Sequence, residues 1–366
     1  MAAALGLARR GLGAVWPNPA VGCILVQEGQ GGHPGDRIVG RGWTQPGGRP
    51  HAESEALRRA GAAARGATAY LTLEPCAHQG QTPPCAEALI AAGVSRAVVA
   101  LEDPDPRVNG AGLSALKSAD VDLSVGLGAE QAGQLNAGFI MRLGRRRPLV
   151  TLKTATTLDG RIATHSGASQ WITGPQARRQ AHGLRARHDA ILVGAGTVAA
   201  DDPELTCRLP GLAARSPLRL VLDSHLRTPL TAKLVATAST VPTWIIALGP
   251  AEAKRRLAFT SAGVEIIEVG ADGAGWPDLS QALTALADRG ITRLLVEGGS
   301  QVAAALLRAG LVDRLVWFRA PALIGGDGLP VAAAFGIDDL GQSPRFRRLG
   351  SSRCGDDTME TFAVES

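Results

Sequence analysis

His51-Ala52-Glu53, Pro75-Cys76 and a second cysteine at Cys85 are the residues of this chain best suited to chemistry. One imidazole and two thiolates fill three of the four tetrahedral positions of a zinc ion and leave the fourth for water. Zinc lowers the pKa of that water toward neutrality, so a hydroxide becomes available to attack an aromatic C–NH2 carbon. Glu53 is not needed as a ligand and is free to relay protons from the water to the leaving ammonia. His-x-Glu, then Pro-Cys, then a further Cys is the order of a zinc deaminase site. The usual cysteine spacing is Cys-x-x-Cys, whereas eight residues separate Cys76 from Cys85. A bare pair that far apart says little; joined to the other two motifs in order, it specifies a site.

The surrounding pattern predicts the elements that place these groups. Residues 3–11 read as a helix, 21–26 as a buried strand and 38–43 as a second strand, with a Gly-rich loop over 27–35. Residues 51–60 form a helix rich in Ala, Glu and Leu, and 69–73 a third strand that ends at Glu74-Pro75-Cys76. Residues 84–92 make a helix with proline at its start and Gly93 past its end. Strands follow at 94–101 and 121–125. Strands alternating with helices imply an α/β layer architecture. His51 and Cys85 each open a helix, where the macrodipole favours a thiolate.

The run Gly144-Arg145-Arg146-Arg147-Pro148 reads as a solvated linker dividing residues 1–144 from 148–366. The second part predicts strands at 149–153, 190–193, 218–222, 244–248 and 264–269, and helices at 175–187 and 302–308. A strand at 294–296 runs into Glu297-Gly298-Gly299 and then a helix start, which offers bare N–H groups to a phosphate. Gly194-Ala195-Gly196-Thr197 is a second turn of this kind. Neither is a GxGxxG fingerprint, which counts against the usual dinucleotide fold.

At 366 residues the chain is long for one core, so two domains are expected. Its 45% hydrophobic and 19% charged residues are those of an ordinary globular protein. No apolar run approaches the roughly 18 residues of a membrane span. The first ten residues lack the n-region and h-region order of a targeting peptide and read as a first helix. Five cysteines do not make a disulfide framework, and with two assigned to zinc they point to a reducing cytoplasm. Cys23 reads as a core thiol, while Cys207 and Cys354 have no assigned role. The net charge of +5 comes mostly from scattered arginines, and aromatics make up only 4% of the chain, so no base-stacking platform is expected. The charge suits phosphorylated small molecules better than nucleic acid.

The chain resembles the bacterial bifunctional riboflavin-biosynthesis deaminase/reductase family. The matching stretches in the first half are Pro17-Asn18-Pro19-Ala20-Val21-Gly22, His51-Ala52-Glu53, Thr72-Leu73-Glu74-Pro75-Cys76-Ala77-His78, Gly80-Gln81-Thr82-Pro83-Pro84-Cys85 and Asp103-Pro104-Asp105-Pro106. In the second half they include Lys153-Thr154-Ala155, Leu158-Asp159-Gly160, Ser169-Gln170-Trp171-Ile172-Thr173, Leu184-Arg185-Ala186 and Gly196-Thr197. Asp201-Asp202-Pro203, Leu205-Thr206-Cys207-Arg208, Val221-Leu222-Asp223-Ser224 and Glu297-Gly298-Gly299 complete the set, in family order along nearly the whole chain.

The resemblance implies a cytidine-deaminase-like three-layer domain followed by a dihydrofolate-reductase-like α/β domain. It implies hydrolytic deamination of 2,5-diamino-6-(5-phosphoribosylamino)pyrimidin-4-one, then NADPH reduction of the ribosyl group of 5-amino-6-(5-phosphoribosylamino)uracil to ribityl. By position, His51, Cys76 and Cys85 hold Zn2+ and Glu53 is catalytic. Ala155, Trp171, Thr197, Asp201, Ser224 and Gly299 go to NADPH. Asn18, Ser169, Arg185, Leu205, Arg208 and Glu297 go to the substrate, with the Arg185 and Arg208 forks suited to its phosphate. Lys153 and Asp159 either orient the sugar or form a buried ion pair. His78 is a further substrate contact on the family pattern; His165, His182, His188 and His225 read as ordinary surface or core histidines. Thr44 stands where relatives commonly carry a histidine. A cytoplasmic homo-oligomer with no nucleic-acid or membrane partner is expected. The alternatives are a nucleoside or nucleic-acid deaminase with an unrelated second domain, and a structural zinc site stapling a binding module.

Overall fold

The computed structural model describes residues 1–29, 35–77, 83–106, 108–249 and 252–365. The chain divides into two compact units, Met1–Arg145 and Arg146–Ser366.

In the first unit a five-stranded sheet runs in the order Arg37–Trp43, Gly22–Gln27, Thr68–Leu71, Arg96–Val99, Asp122–Val125. The first three strands pair antiparallel and the last three parallel. Cys23, Leu25, Leu71, Val99 and Leu116 are buried in its core, Cys23 as the expected core thiol. The helix Ala52–Ala60 lies directly on the strand Arg37–Trp43. A Cβ at Gly42 would fall 1.9 Å from the Ala52 carbonyl oxygen, so only glycine permits this approach. That contact fixes the start of the helix, where His51 and Glu53 sit.

In the second unit seven parallel strands follow the order Glu265–Val269, Thr243–Leu248, Leu218–Leu222, Ala190–Gly194, Arg293–Val296, Leu149–Thr156, Arg314–Arg319. The hairpin of Asp357–Val364 and Phe346–Cys354 continues the sheet antiparallel. Parallel pairing brings all seven carboxyl ends to one edge, where open α/β sheets take their ligands. The α/β class expected from the sequence is the class found in both units.

The arginine run is not a solvated linker throughout. Gly144 and Arg145 finish the helix Ala137–Arg145, which the sequence pattern did not suggest. Arg147 is nearly buried and forks onto Asp313, at 2.6 Å and 2.7 Å. Asp313 also accepts the Val150 N–H at 2.8 Å, so this pair anchors the first strand of the second unit. Among the described residues no helix is long and apolar enough to cross a membrane.

Candidate active sites

His51 precedes the helix Ala52–Ala60 in extended backbone, which turns its ring toward the turn after Thr68–Leu71. Its Nδ1 lies 3.7 Å from Cys76 Sγ and 3.4 Å from Cys85 Sγ. A tetrahedral zinc with ordinary Zn–N and Zn–S bonds would hold nitrogen and sulfur about 3.5 Å apart. The three ligand atoms all lie within 4.8 Å of one another, so the donor set fits the ion. Cys85 opens the helix Cys85–Ala91, as expected, and its N–H points at Cys76 Sγ at 3.4 Å.

Electrostatics lead to the same ion. A hydrogen bond from Cys85 pulls the Cys76 thiol down to about 4, and the same contact pushes Cys85 up. Two adjacent sulfurs cannot both ionise without a cation between them. Burial raises the Glu53 carboxyl to about 7, although His51 opposes the shift. The side chain is therefore suited to exchanging a proton near neutrality.

Glu74, directly before Pro75-Cys76, was not singled out by sequence. Its buried carboxylate accepts four backbone N–H groups, from Asp103 (3.1 Å), Gly110 (3.0 Å), Gly112 (2.8 Å) and Leu113 (3.1 Å). It ties the Cys76 turn to the 103–113 segment. The available signal was a glutamate ending an apolar strand, a position that demands partners when buried. Asn136 was also missed: its Oδ1 accepts Ala20 N–H at 2.9 Å and its Nδ2 donates to Ala20 O at 3.2 Å. Thr44 holds the same loop from the other side. Its hydroxyl accepts Val21 N–H at 2.9 Å and donates to Pro19 O at 3.2 Å. Half-buried Asn18 sits on this doubly clamped loop. His78 and Gly80-Gln81-Thr82 lie outside the described residues.

In the second unit Ala155, Thr197, Ser224, Glu297 and Gly299 all stand at the carboxyl edge of the parallel strands. The two glycine turns meet there. A Cβ at Gly298 would come within 3.0 Å of Val193 Cγ1 and 3.2 Å of Thr197 Oγ1. Gly299, at φ +65°, precedes the helix Ser300–Arg308 with no side chain to cover its N–H, a surface suited to a phosphorylated cofactor.

Glu297 is bracketed by cations. Arg185 Nε and Nη2 donate to its two oxygens at 2.8 Å and 2.9 Å, and Lys153 Nζ lies 3.7 Å away. Burial would raise this carboxyl, but Arg185 and Lys153 outweigh it and hold it at about 2. The Arg185 fork is thus engaged by Glu297, and its Nη1 by Thr206 O at 3.0 Å. Arg208 is half exposed, its guanidinium beside Glu204 at 3.1 Å and its backbone N–H on His182 Nδ1 at 3.3 Å. Leu205 has φ +55° and a side chain buried in the core, so its main chain is what it can offer a ligand. Trp171 is 66% exposed, with the Arg178 guanidinium 4.4 Å from its ring centre. Asp201 closes the short helix Ala195–Asp201, and Ser169 lies half-buried two residues before Trp171.

Two of the doubtful residues resolve. Lys153 forms the buried ion pair, while Asp159 is a loop staple that accepts from Thr157 Oγ1 (2.5 Å) and Gly325 N–H (2.7 Å). His188 is a core histidine. Its Nδ1 donates to Leu184 O at 2.8 Å, and its Nε2 accepts from Thr151 Oγ1 at 3.0 Å. All five cysteines are free thiols.

A zinc deaminase site in one α/β unit, followed by a parallel α/β unit with paired glycine turns, defines the class as a deaminase joined to a cofactor-binding enzyme. Residues 1–101 match the cytidine and deoxycytidylate deaminase zinc-binding region, and residues 148–359 match the RibD C-terminal domain. The chain is 43% identical over 358 residues to the riboflavin biosynthesis protein RibD of Escherichia coli (strain K12), covering 95% of this chain and 94% of that one. It is similar to the Acinetobacter baumannii RibD structure, with a TM-score of 0.87, 36% identity and coverage of 100% and 98%. It is also similar to a diaminohydroxyphosphoribosylaminopyrimidine deaminase/5-amino-6-(5-phosphoribosylamino)uracil reductase from Thermotoga maritima, with a TM-score of 0.85, 32% identity and coverage of 100% and 97%. The chain belongs to the RibD family of riboflavin biosynthesis proteins. It is a bifunctional hydrolase and oxidoreductase that uses zinc and NADPH.

Proposed function

We propose that residues 1–144 carry the deaminase, that residues 148–366 carry the reductase, and that both act in turn on one phosphorylated pyrimidine. The first reaction exchanges an amino group of 2,5-diamino-6-(5-phosphoribosylamino)pyrimidin-4-one for oxygen from water and releases ammonia. The second reduces the ribosyl group of the resulting 5-amino-6-(5-phosphoribosylamino)uracil to ribityl at the expense of NADPH. The His51, Cys76 and Cys85 cluster with buried Glu53 beside it is the observation that carries this reading.

Zinc held by those three residues supplies the Lewis acidity that makes water nucleophilic near neutral pH. The Glu53 carboxylate takes the proton from the attacking water and passes it to the departing nitrogen. Asn18, fixed by the Asn136 and Thr44 clamps, meets the pyrimidine or its ribose. In the reductase, Ala155, Trp171, Thr197, Asp201, Ser224 and Gly299 position NADPH, which supplies the hydride. Ser169, Arg208 and Glu297, with Arg185 acting through Glu297 and Leu205 through its main chain, position the sugar. Arg208 is the arginine of this group open to the substrate phosphate. Scattered arginines and a 4% aromatic content support a small-molecule rather than a nucleic-acid partner, and five free thiols support a reducing cytoplasm.

Mass analysis of the diaminopyrimidine after incubation with the protein tests the reading. An amine-to-carbonyl exchange is expected without NADPH, and a further gain of two hydrogens with it. An unchanged substrate, with conversion of cytidine or tRNA instead, would favour a different deaminase. Separate expression of residues 1–145 and 146–366 tests the division, keeping Arg147 with Asp313. The first fragment should deaminate without NADPH, and the second should reduce the intermediate in the presence of a chelator. A soluble second fragment that needs zinc or the first fragment would overturn it.

A further inference from the structure

The segment Leu205-Thr206-Cys207-Arg208 begins and ends on residues proposed to meet the substrate, and one histidine grips its middle. His182, half-buried near the end of the helix Pro175–Arg185, meets the segment at three points. Its Nδ1 lies 3.3 Å from the Arg208 backbone nitrogen and 3.1 Å from Thr206 O, and its carbonyl accepts the Cys207 thiol at 3.4 Å. Three residues on, Arg185 reaches the same loop. Its Nη1 donates to Thr206 O at 3.0 Å while its Nε and Nη2 hold Glu297. The helix thereby ties the loop to the carboxylate at the carboxyl edge of the sheet.

A single ring nitrogen cannot serve both of its neighbours. The Arg208 N–H needs a lone pair on Nδ1, whereas Thr206 O would need a proton there. Thr206 O already has the Arg185 donor, and no other acceptor stands at the Arg208 N–H among the described residues. The ring is therefore neutral, with its proton on Nε2 and Nδ1 bare. The charges around it agree. Burial holds the imidazole below its ordinary range, Arg185 on its own helix and Arg208 on the loop add to this, and the Thr206 carbonyl and Glu297 oppose it. Glu204 pairs with Arg208, Lys153 pairs with Glu297, and the Cys207 thiol faces the His182 carbonyl rather than the ring. A proton added to Nδ1 turns the acceptor into a donor. The ring then bonds to Thr206 O, and the Arg208 N–H loses its partner.

We propose that His182 is a positioning residue of the reductase: its bare Nδ1 holds the Arg208 backbone so that the guanidinium meets the substrate phosphate, and protonation of the ring releases that hold. This rests on Arg208 belonging to the substrate site. The Arg208 side chain is half exposed, so the main chain defines where the guanidinium starts. Pyrimidine binding therefore weakens in acid although the ring itself does not touch the pyrimidine.

The test uses the full chain with NADPH and the deaminated pyrimidine, from about pH 8 down to about pH 5.5, the span in which a histidine titrates. Asparagine places an amide oxygen where Nδ1 stands, takes up no proton, and matches histidine in helix propensity. Leucine fills the space without an acceptor. At the alkaline end His182→Asn should keep the pyrimidine KM within about twofold, and His182→Leu should raise it about 2- to 10-fold, the scale of one hydrogen bond. The KM for NADPH should stay within about twofold in both. As pH falls, the parent's pyrimidine KM should climb toward that of His182→Leu, while His182→Asn follows only the second ionisation of the substrate phosphate near about pH 6. That ionisation is common to all three proteins, so the difference between the parent and His182→Asn profiles decides. Coincident profiles would overturn the proposal. So would a parent KM that falls in acid relative to His182→Asn, because a charged ring would then be attracting the phosphate itself. Arg208→Gln is the companion variant: an unchanged pyrimidine KM there means that Arg208 is not at the phosphate, and the reading beneath the proposal fails. If Arg208→Gln raises that KM while His182→Leu behaves as the parent at the alkaline end, only the role of His182 fails. Nitrogen NMR of histidine-labelled protein gives a second readout, with the His182 signal identified by its loss in His182→Asn. Nδ1 should be unprotonated at neutral pH, and a proton on Nδ1 there would overturn the assignment.

Discussion

In residues 1–145 the reactive centre is two sulfurs, an imidazole and a buried carboxyl, and the cation beside it, Arg49, bears on the imidazole His51. In residues 146–366 the buried carboxylate of Glu297 already has two cations from its own chain, Lys153 and Arg185. The first centre is electrostatically incomplete without an ion from outside, while the second is complete as folded. A chain that borrows its cation can be read from ligand types and spacing, because chelation demands particular atoms. A chain that builds the balance itself spreads the parts over residues 153, 185 and 297, and no spacing between those three announces that they meet. The same contrast predicts opposite responses to chelators and to side-chain deletions.

The largest effects should come from withdrawing the borrowed cation. Cys76→Ser or Cys85→Ser should lose zinc and deamination together while reduction of the deaminated intermediate proceeds normally. Metal analysis beside an ammonia assay checks this, and full zinc occupancy in both variants would mean the ligands are wrong. Glu53→Gln separates ion from proton relay. Zinc should remain, and deamination should fall roughly 10²- to 10⁴-fold, the span for a general acid–base group. Near-normal ammonia release would remove Glu53 from the reaction.

Glu297→Gln attacks the built-in balance. It keeps the shape but leaves Lys153 and Arg185 as neighbouring buried cations, a defect that costs about 3–5 kcal/mol when one member of a buried pair is removed. The thermal transition of the second unit should drop and reduction should be impaired, with deamination untouched. A variant as stable as the parent would show that the carboxylate is not what holds the two cations.

Much of the architecture could be read before the coordinates, for reasons that differ by element. The strands Gly22–Gln27 and Ala190–Gly194 are nearly continuous apolar runs because both faces are covered, as is Leu218–Leu222 apart from buried Arg219, and such runs are legible. The edge strand Phe346–Cys354 was not, since all but its two end residues are exposed and no alternation marks it. The helix Ala129–Leu135 is mostly Ala, Gln, Gly and Glu and buries only Ala132 and Leu135, too short a stripe to read. Arg147 looked like part of a solvated charge run because Asp313, its partner, lies 166 positions away. The zinc ligands and Glu53 were legible as types at a spacing; the clamps made by Glu74 and Asn136 were not, because they act on backbone groups that carry no signature of their own.

The smallest expected effect is a pH dependence lodged in the second unit. Burial holds the His188 imidazole at about 3 against an ordinary value of 6.5, with Arg293 and Arg187 adding to the shift and Glu297 opposing it. Below 6.5 the unfolded chain binds a proton that the folded chain refuses, so stability from neutral His188 is present above 6.5 and is lost progressively as pH falls toward 3. The slope corresponds to about 2 kcal/mol by pH 5 at 1.36 kcal/mol per pH unit. Glu297, held at about 2, does not titrate in the folded state within that window. His188→Gln, which is neutral throughout, should therefore flatten the fall in the thermal midpoint of the second unit between pH 6.5 and 5. Its absolute midpoint at neutral pH can be lower, because the Leu184 and Thr151 hydrogen bonds change length; the slope is the measurement that decides. An identical slope in parent and variant would mean that the ring is charged in the folded protein, a result incompatible with Nε2 accepting from Thr151.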